Sequence, residues 1–172
     1  WPMTETKHPL SDDARGRINE FLRNGGTILF DTRDQNLSGI GGVGPGTLTL
    51  RSLVQGLDIP ALLEVPAGHV LTKAFYLLHE FPGRWEGGRV FVQKLDERVN
   101  DGVSSVIIGA NDYAGAWAID LNGRPMFPVV PGSARQRELA FRFGVNLVMY
   151  ALTGNYKADQ VHVDAILERL GQ

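Results

Sequence analysis

The chain has 172 residues and a formal net charge of −2 without a basic stripe, which removes the electrostatic footprint of a nucleic-acid binder. Its 43% hydrophobic and 21% charged content fits one globular domain, and the absence of cysteine excludes a disulfide framework, a thiolate metal site and a cysteine nucleophile. All its apolar runs are shorter than the roughly 20 residues needed to span a bilayer, so no transmembrane segment is expected.

The chain opens on Trp1-Pro2-Met3, which suggests a piece of a longer protein and reads as the tail of a strand. Ser11-Asp12-Asp13 starts a helix, with Ser11 as N-cap and two acids at the positive end of the dipole. Ala14, Ile18, Phe21 and Leu22 form its apolar stripe, and Asn24-Gly25-Gly26 ends it. Thr27-Ile28-Leu29-Phe30 is then a continuous apolar run, as in a strand covered on both faces, and it ends in the charged cluster Asp31-Thr32-Arg33-Asp34.

A glycine-rich loop over 35–46 leads to a second helix carrying Leu50, Leu53, Val54 and Leu57, with Thr47 or Thr49 as its cap. Residues 58–68, with Pro60 and Pro66, read as irregular, and Val70 to Leu78 as a short helix. Pro82 to Gly88 is a loop containing Trp85, and Val90 to Leu95 alternates as a strand does. Val103 to Gly109 is the clearest second strand, ending in Asn111-Asp112.

Ala116 to Asp120 and Met126 to Val130 flank Asn122-Gly123, a pair suited to a type I′ turn, and predict a β-hairpin with an edge strand. Ala134 to Leu152 is the strongest helix, with a Ser133/Gln136 capping box and Gly154 to end it. Apolar residues on nearly all its sides predict burial against the sheet. Val163, Ile166, Leu167 and Leu170 mark a last amphipathic helix. Together these elements predict a three-layer α/β domain with a mostly parallel sheet and an added β-hairpin, residues 1–172 forming a single domain.

In open α/β sheets ligands gather beyond the carboxyl ends of the strands, so Asp31, Arg33 and Asp34 are the first candidates. They can bind a small polar ligand, or the acids can hold a hard cation through oxygen; an internal salt bridge with a capped loop is the structural alternative. If the two buried strands are neighbours, Asn111 and Asp112 converge on the same place. Carboxylates gathered there need a cation or an arginine between them, and Arg33, Arg135 and Arg137 can supply it. Trp117 can stack on a ligand or pack in the core.

Gly39-Ile40-Gly41-Gly42-Val43-Gly44 fits G-x-G-x-x-G in letters, but it neither follows a strand at once nor opens a helix, and reads as a surface flap. The four histidines, His8, His69, His79 and His162, have no zinc spacing and read as surface or capping residues. No G-x-S-x-G elbow is present, and no metal or cofactor is expected.

The segments Phe30 to Asp34, Gly109 to Trp117, Arg135-Gln136-Arg137-Glu138 and Asn146 to Lys157 resemble the bacterial domain-of-unknown-function family numbered 4159, over nearly the whole chain. Tyr113 stands where that family often carries tryptophan. The resemblance implies a fold similar to flavodoxin-like, class I glutamine amidotransferase-like domains, and a parent protein that is often membrane-anchored or exported; a periplasmic face is the expectation for this domain. An amidotransferase attacks with a cysteine thiolate, which this chain lacks. The expected function is therefore a non-catalytic domain that binds a small polar ligand or a protein partner. The alternative is a divalent-cation-dependent hydrolase using Asp31, Asp34 and Asp112 to activate water.

Overall fold

The computed structural model describes residues 1–4, 9–40, 43–94 and 102–154. Four strands form one open sheet in the order β1-β4-β3-β2: β1 (Ile28–Asp31), β2 (Leu62–Glu64), β3 (Phe91–Gln93) and β4 (Val106–Gly109). β1 and β4 are parallel, in register from Ile28 opposite Val106 to Asp31 opposite Gly109. β3 runs antiparallel to both β4 and β2. The sheet is therefore mixed, not mostly parallel. The two continuous apolar runs are the parallel pair, whereas β2 and β3 are short and only partly buried, as antiparallel strands can be. β2 lies in the segment expected to be irregular, since three strand residues between Pro60 and Pro66 carry almost no pattern.

Trp1 to Met3 continues the parallel pairing on the outer side of β1: Asp31 N donates to Trp1 O at 3.0 Å and Met3 N to Asp31 O at 2.8 Å. Alternation along the strands divides the core between two faces. Ile28, Phe30, Val106, Ile108 and Leu62 pack with Met3, Leu22 and Leu50 beneath α1 (Asp12–Arg23) and α2 (Pro45–Leu53). On the other face Leu29, Leu63, Val92 and Ile107 pack with Leu71, Leu78, Phe143 and Tyr150. Those that are fully buried, such as Phe30 and Ile107, contribute about 1.5–3 kcal/mol each.

Ser11 Oγ accepts from Ala14 N at 3.2 Å and so caps α1, as its sequence predicts. Phe21, placed in the buried stripe by spacing, is half exposed and covers Gly26, where a Cβ would strike its ring. The cap of α2 is Gly44 with Pro45 at N1, not Thr47 or Thr49; proline suits that position because its missing N–H would be orphaned anyway. Gln35–Ile40 is a 3₁₀ helix inside the expected loop, and of Val70 to Leu78 only Val70–Thr72 is helical, again 3₁₀.

The hairpin is reduced to a single bridge between Ile119 and Pro125 after a short helix α3 (Tyr113–Trp117). Asp120 accounts for the change. One of its carboxylate oxygens accepts from Asn122 N and Arg124 N, both at 2.8 Å, and Gly123 alone of the turn pair takes a positive φ, 76°.

α4 (Ala134–Thr153) is capped by Ser133 Oγ, 2.9 Å from Gln136 N. The reciprocal half of the capping box is replaced, since Gln136 reaches other backbone groups. α4 is also less buried than its composition suggests. Ala140, Phe143, Asn146 and Tyr150 face the sheet, while Phe141, Val145, Val148 and Leu152 are exposed at helical spacing, because the sheet covers one side of the helix only. The predicted helix around Val163 to Leu170 lies outside the described residues.

Candidate functional site at the carboxyl edge of the parallel strands

Because β1 and β4 are parallel neighbours, the chain leaves both at the same edge of the sheet. Thr32 N donates to Gly109 O at 2.9 Å and Gln35 N to Ala110 O at 3.0 Å, so the two exits stay paired beyond the strands. Each exit then passes through a left-handed residue, Arg33 with φ 63° and Asp112 with φ 53°, a conformation that side chains other than Asn and Asp seldom adopt. The buried Asp31 carboxylate holds both turns. It accepts from Arg33 N at 3.1 Å, Asp112 N at 3.2 Å and Tyr113 N at 2.6 Å. Burial raises the Asp31 pKa against the effect of these three N–H groups, and the neighbouring Asp112 charge adds to the rise.

The side chains of the two left-handed residues meet. Arg33 Nε lies 2.9 Å from Asp112 Oδ1, and Arg84 Nη1 lies 3.2 Å from Asp112 Oδ2, so one carboxylate is shared by two guanidinium groups. Arg84 is fixed further by its Nε donating to Pro128 O at 3.1 Å. Its guanidinium lies between aromatic rings, 4.7 Å from the Trp85 centroid and 5.4 Å from that of Phe127. The loop that carries it is stitched to the β4 exit by Trp85 N to Asn111 O at 3.1 Å and Arg84 N to Asp112 O at 3.3 Å. Gly83 permits that approach, because a Cβ there would strike the Asn111 carbonyl. Gln136, nearly fully buried, closes the loop by donating Nε2 to Gly83 O, Arg84 O and Val130 O.

Asp34 serves α2. Its two oxygens accept from Gly46 N at 3.1 Å and Thr47 N at 2.6 Å, so a carboxylate from a distant turn occupies the positive end of the helix. A phosphate at the Gly46 and Thr47 amides would have to displace it. Between these groups lies a cleft of about 340 Å³, lined by Thr32, Arg33, Asp34, Arg84, Trp85 and Asp112 among others.

The structure thus brings together Asp31, Arg33, Asp34, Asn111 and Asp112. Within that group Asn111 is fully buried and braces the loop, Nδ2 donating to Phe81 O at 2.8 Å. The Tyr113 hydroxyl is pushed well above its ordinary pKa by burial and by the Asp31 charge; the Asn111 side chain opposes this in part without closing a well-aligned hydrogen bond.

The remaining candidates lie elsewhere. Trp117 donates its indole N–H to Ala140 O at 2.7 Å, stacks on Tyr113 and lies against Gly144, at the contact of α3 with α4. Arg137 ties α4 to Ala116 O at 2.7 Å and Phe127 O at 2.6 Å. Arg135 is exposed, without a hydrogen bond or ion pair among the described residues. Arg84, which no local pattern marks, is the residue that sequence reasoning missed. Its only signals are the Pro82-Gly83 turn before it and the tryptophan after it.

His69 is a capping histidine: Nδ1 accepts from Leu71 N at 3.1 Å, and burial lowers its pKa. Among the described residues no group of three or more His, Asp or Glu side chains is placed to hold a metal ion, and no helix is long and apolar enough to cross a membrane.

The fold and site define an α/β domain with a mixed open sheet, helices on both faces and a polar cleft where its parallel strands end. Within that class the chain belongs to the family described as Domain of unknown function (DUF4159), whose model matches residues 1–152. The comparison with curated proteins found no match.

Proposed function

We propose that this is a non-catalytic ligand-binding domain, on a three-layer, flavodoxin-like scaffold of the class I glutamine amidotransferase type without its nucleophile. One observation carries the reading: a cleft at the carboxyl edge of the parallel strands is lined by two arginines positioned on a buried carboxylate. That edge is where open α/β sheets hold their ligands. The strand-to-helix turn after β4, where a nucleophile elbow would present a reactive side chain, carries Asp112 instead, and each of its oxygens is held by an arginine. An acid so engaged is a positioning group rather than an attacking one.

The cation-dependent hydrolase reading has no comparable support. Asp31 and Asp34 direct their oxygens at backbone N–H groups and Asp112 at arginines, so a metal would compete with these donors for the same carboxylates. The family resemblance supports reading the domain as part of a membrane-anchored or exported bacterial protein. A ligand presented by that protein or its partner would reach the cleft from the open edge of the sheet.

The reading is tested by screening the intact chain against sugars, amino acids, nucleosides, polyamines, carboxylates and phosphate esters by thermal shift, then mapping each hit by amide NMR. Saturable shifts at Thr32 to Asp34 and Gly83 to Trp85 are expected from at least one class. Hits that map away from these amides, or an empty screen, would overturn it.

A further inference from the structure

We propose that the ligand group taken by the cleft is a small oxyanion, a carboxylate or phosphate, gripped jointly by Arg33 and Arg84; this rests on the ligand-binding reading above and names its chemical class. Asp112 receives one bond from each guanidinium, so two positive charges share a single carboxylate. Asp34, the other acid lining the cleft, is turned to the amides that open α2. The charged groups turned most to solvent in the cleft are therefore the two guanidinium groups. The Arg33 and Arg84 side chains are 41% and 21% exposed, whereas that of Asp112 is 3% exposed.

The free valences of the two guanidinium groups are all donors. Arg33 uses Nε on Asp112 and Arg84 uses Nε and Nη1, leaving both terminal nitrogens of Arg33 and Nη2 of Arg84 without partners among the described residues. A guanidinium has no acceptor to offer, so the complementary group is an acceptor with negative charge, and a planar or tetrahedral oxyanion fits the fork.

Both arginines are also held in place before any ligand arrives. Arg33 springs from a left-handed backbone fixed through Asp31, and Arg84 is clamped by Pro128 O and by two rings. Ordering of long side chains is a main cost of binding polar ligands, and here folding has already met it. A cleft of about 340 Å³ suits a compact molecule.

The test is an amide NMR titration of the intact chain with inorganic phosphate, with succinate, and with glucose as a neutral polar probe. Phosphate or succinate should give saturable shifts at Thr32 to Asp34 and Gly83 to Trp85. Arg33→Gly, which removes the guanidinium at a φ glycine adopts freely, should weaken binding about tenfold or more. Arg33→Lys, which keeps the charge and loses the fork, should fall between, and the better response of the two probes tells carboxylate from phosphate. Oxyanion shifts that rise without saturation, or that persist unchanged in both variants, overturn the proposal. If glucose or another uncharged or cationic compound saturates the same amides and both oxyanions do not, the oxyanion class is wrong and the ligand-binding reading survives.

Discussion

Replacing Asp31 by asparagine removes the group that organises both strand exits, and its cost can be worked from the geometry. The carboxylate is 3% exposed and accepts from Arg33 N and Asp112 N on one oxygen and Tyr113 N on the other. A carboxamide has one acceptor oxygen. If it keeps the pair at Oδ1, its NH₂ group faces Tyr113 N at what was a 2.6 Å hydrogen bond. An unsatisfied buried donor costs about 1–3 kcal/mol and the two surviving bonds lose their charge assistance, while relief from burying a carboxylate offsets part, leaving a net loss of about 2 kcal/mol.

Urea unfolding followed by circular dichroism measures it. The pH dependence adds a signed test. Asp31 has a folded pKa raised above its ordinary 3.8, so the folded state binds the proton more readily than the unfolded chain. Its contribution to stability is then fully present below the unfolded value and falls as pH rises through the folded one. The advantage of the wild type over Asp31→Asn should be larger at pH 4 than at pH 7. A loss below about 0.5 kcal/mol, within the range of an ordinary surface change, or the opposite pH trend, would refute the role assigned to Asp31.

Three further outcomes follow from the same structure. Asp34→Ala should cost about 1–2 kcal/mol in urea unfolding, since it strips two amides at the start of α2 of their acceptor. Gly46→Ala should destabilise by more than about 2 kcal/mol in the same assay, because its Cβ would overlap the Thr32 carbonyl oxygen, a backbone atom that cannot turn aside. His69, with a pKa below its ordinary 6.5, contributes stability that is present above that value and lost as pH falls through the folded pKa. The unfolding midpoint should drop from pH 8 to pH 5, and this component should be absent in His69→Asn, which keeps a side-chain acceptor for Leu71 N without titrating.

The parts of this structure that were legible in the sequence are those whose cause is local. Ser11 and Ser133 announce their helices by the cap they form, and the runs ending at Phe30 and Ile108 announce strands because both faces are covered. Strand direction is not local. Nothing in Leu62-Leu63-Glu64 or Phe91-Val92-Gln93 says which way its neighbour runs, and so the mixed sheet has no signal in the sequence.

The site divides along the same line. Asp31, Arg33, Asp34, Asn111 and Asp112 could be named because each immediately follows a recognisable strand. Arg84 could not, since it reaches Asp112 only when the loop pairs with Asn111 and Asp112 through backbone bonds. Arg135 and Arg137 were drawn in by charge, but the helix to which they belong directs Arg137 to the backbone of Ala116 and Phe127.

The central claim is that the arginines on Asp112 serve a ligand rather than only the fold. It is tested most directly by measuring stability and oxyanion binding side by side in Arg33→Gly. Relief of the left-handed strain at position 33 should offset most of the lost ion pair, so unfolding should shift by less than about 1 kcal/mol while phosphate or succinate binding weakens about tenfold or more. A loss of about 3–5 kcal/mol, the signature of a buried carboxylate left underpaired, with binding unchanged, would contradict the account and make the pair structural.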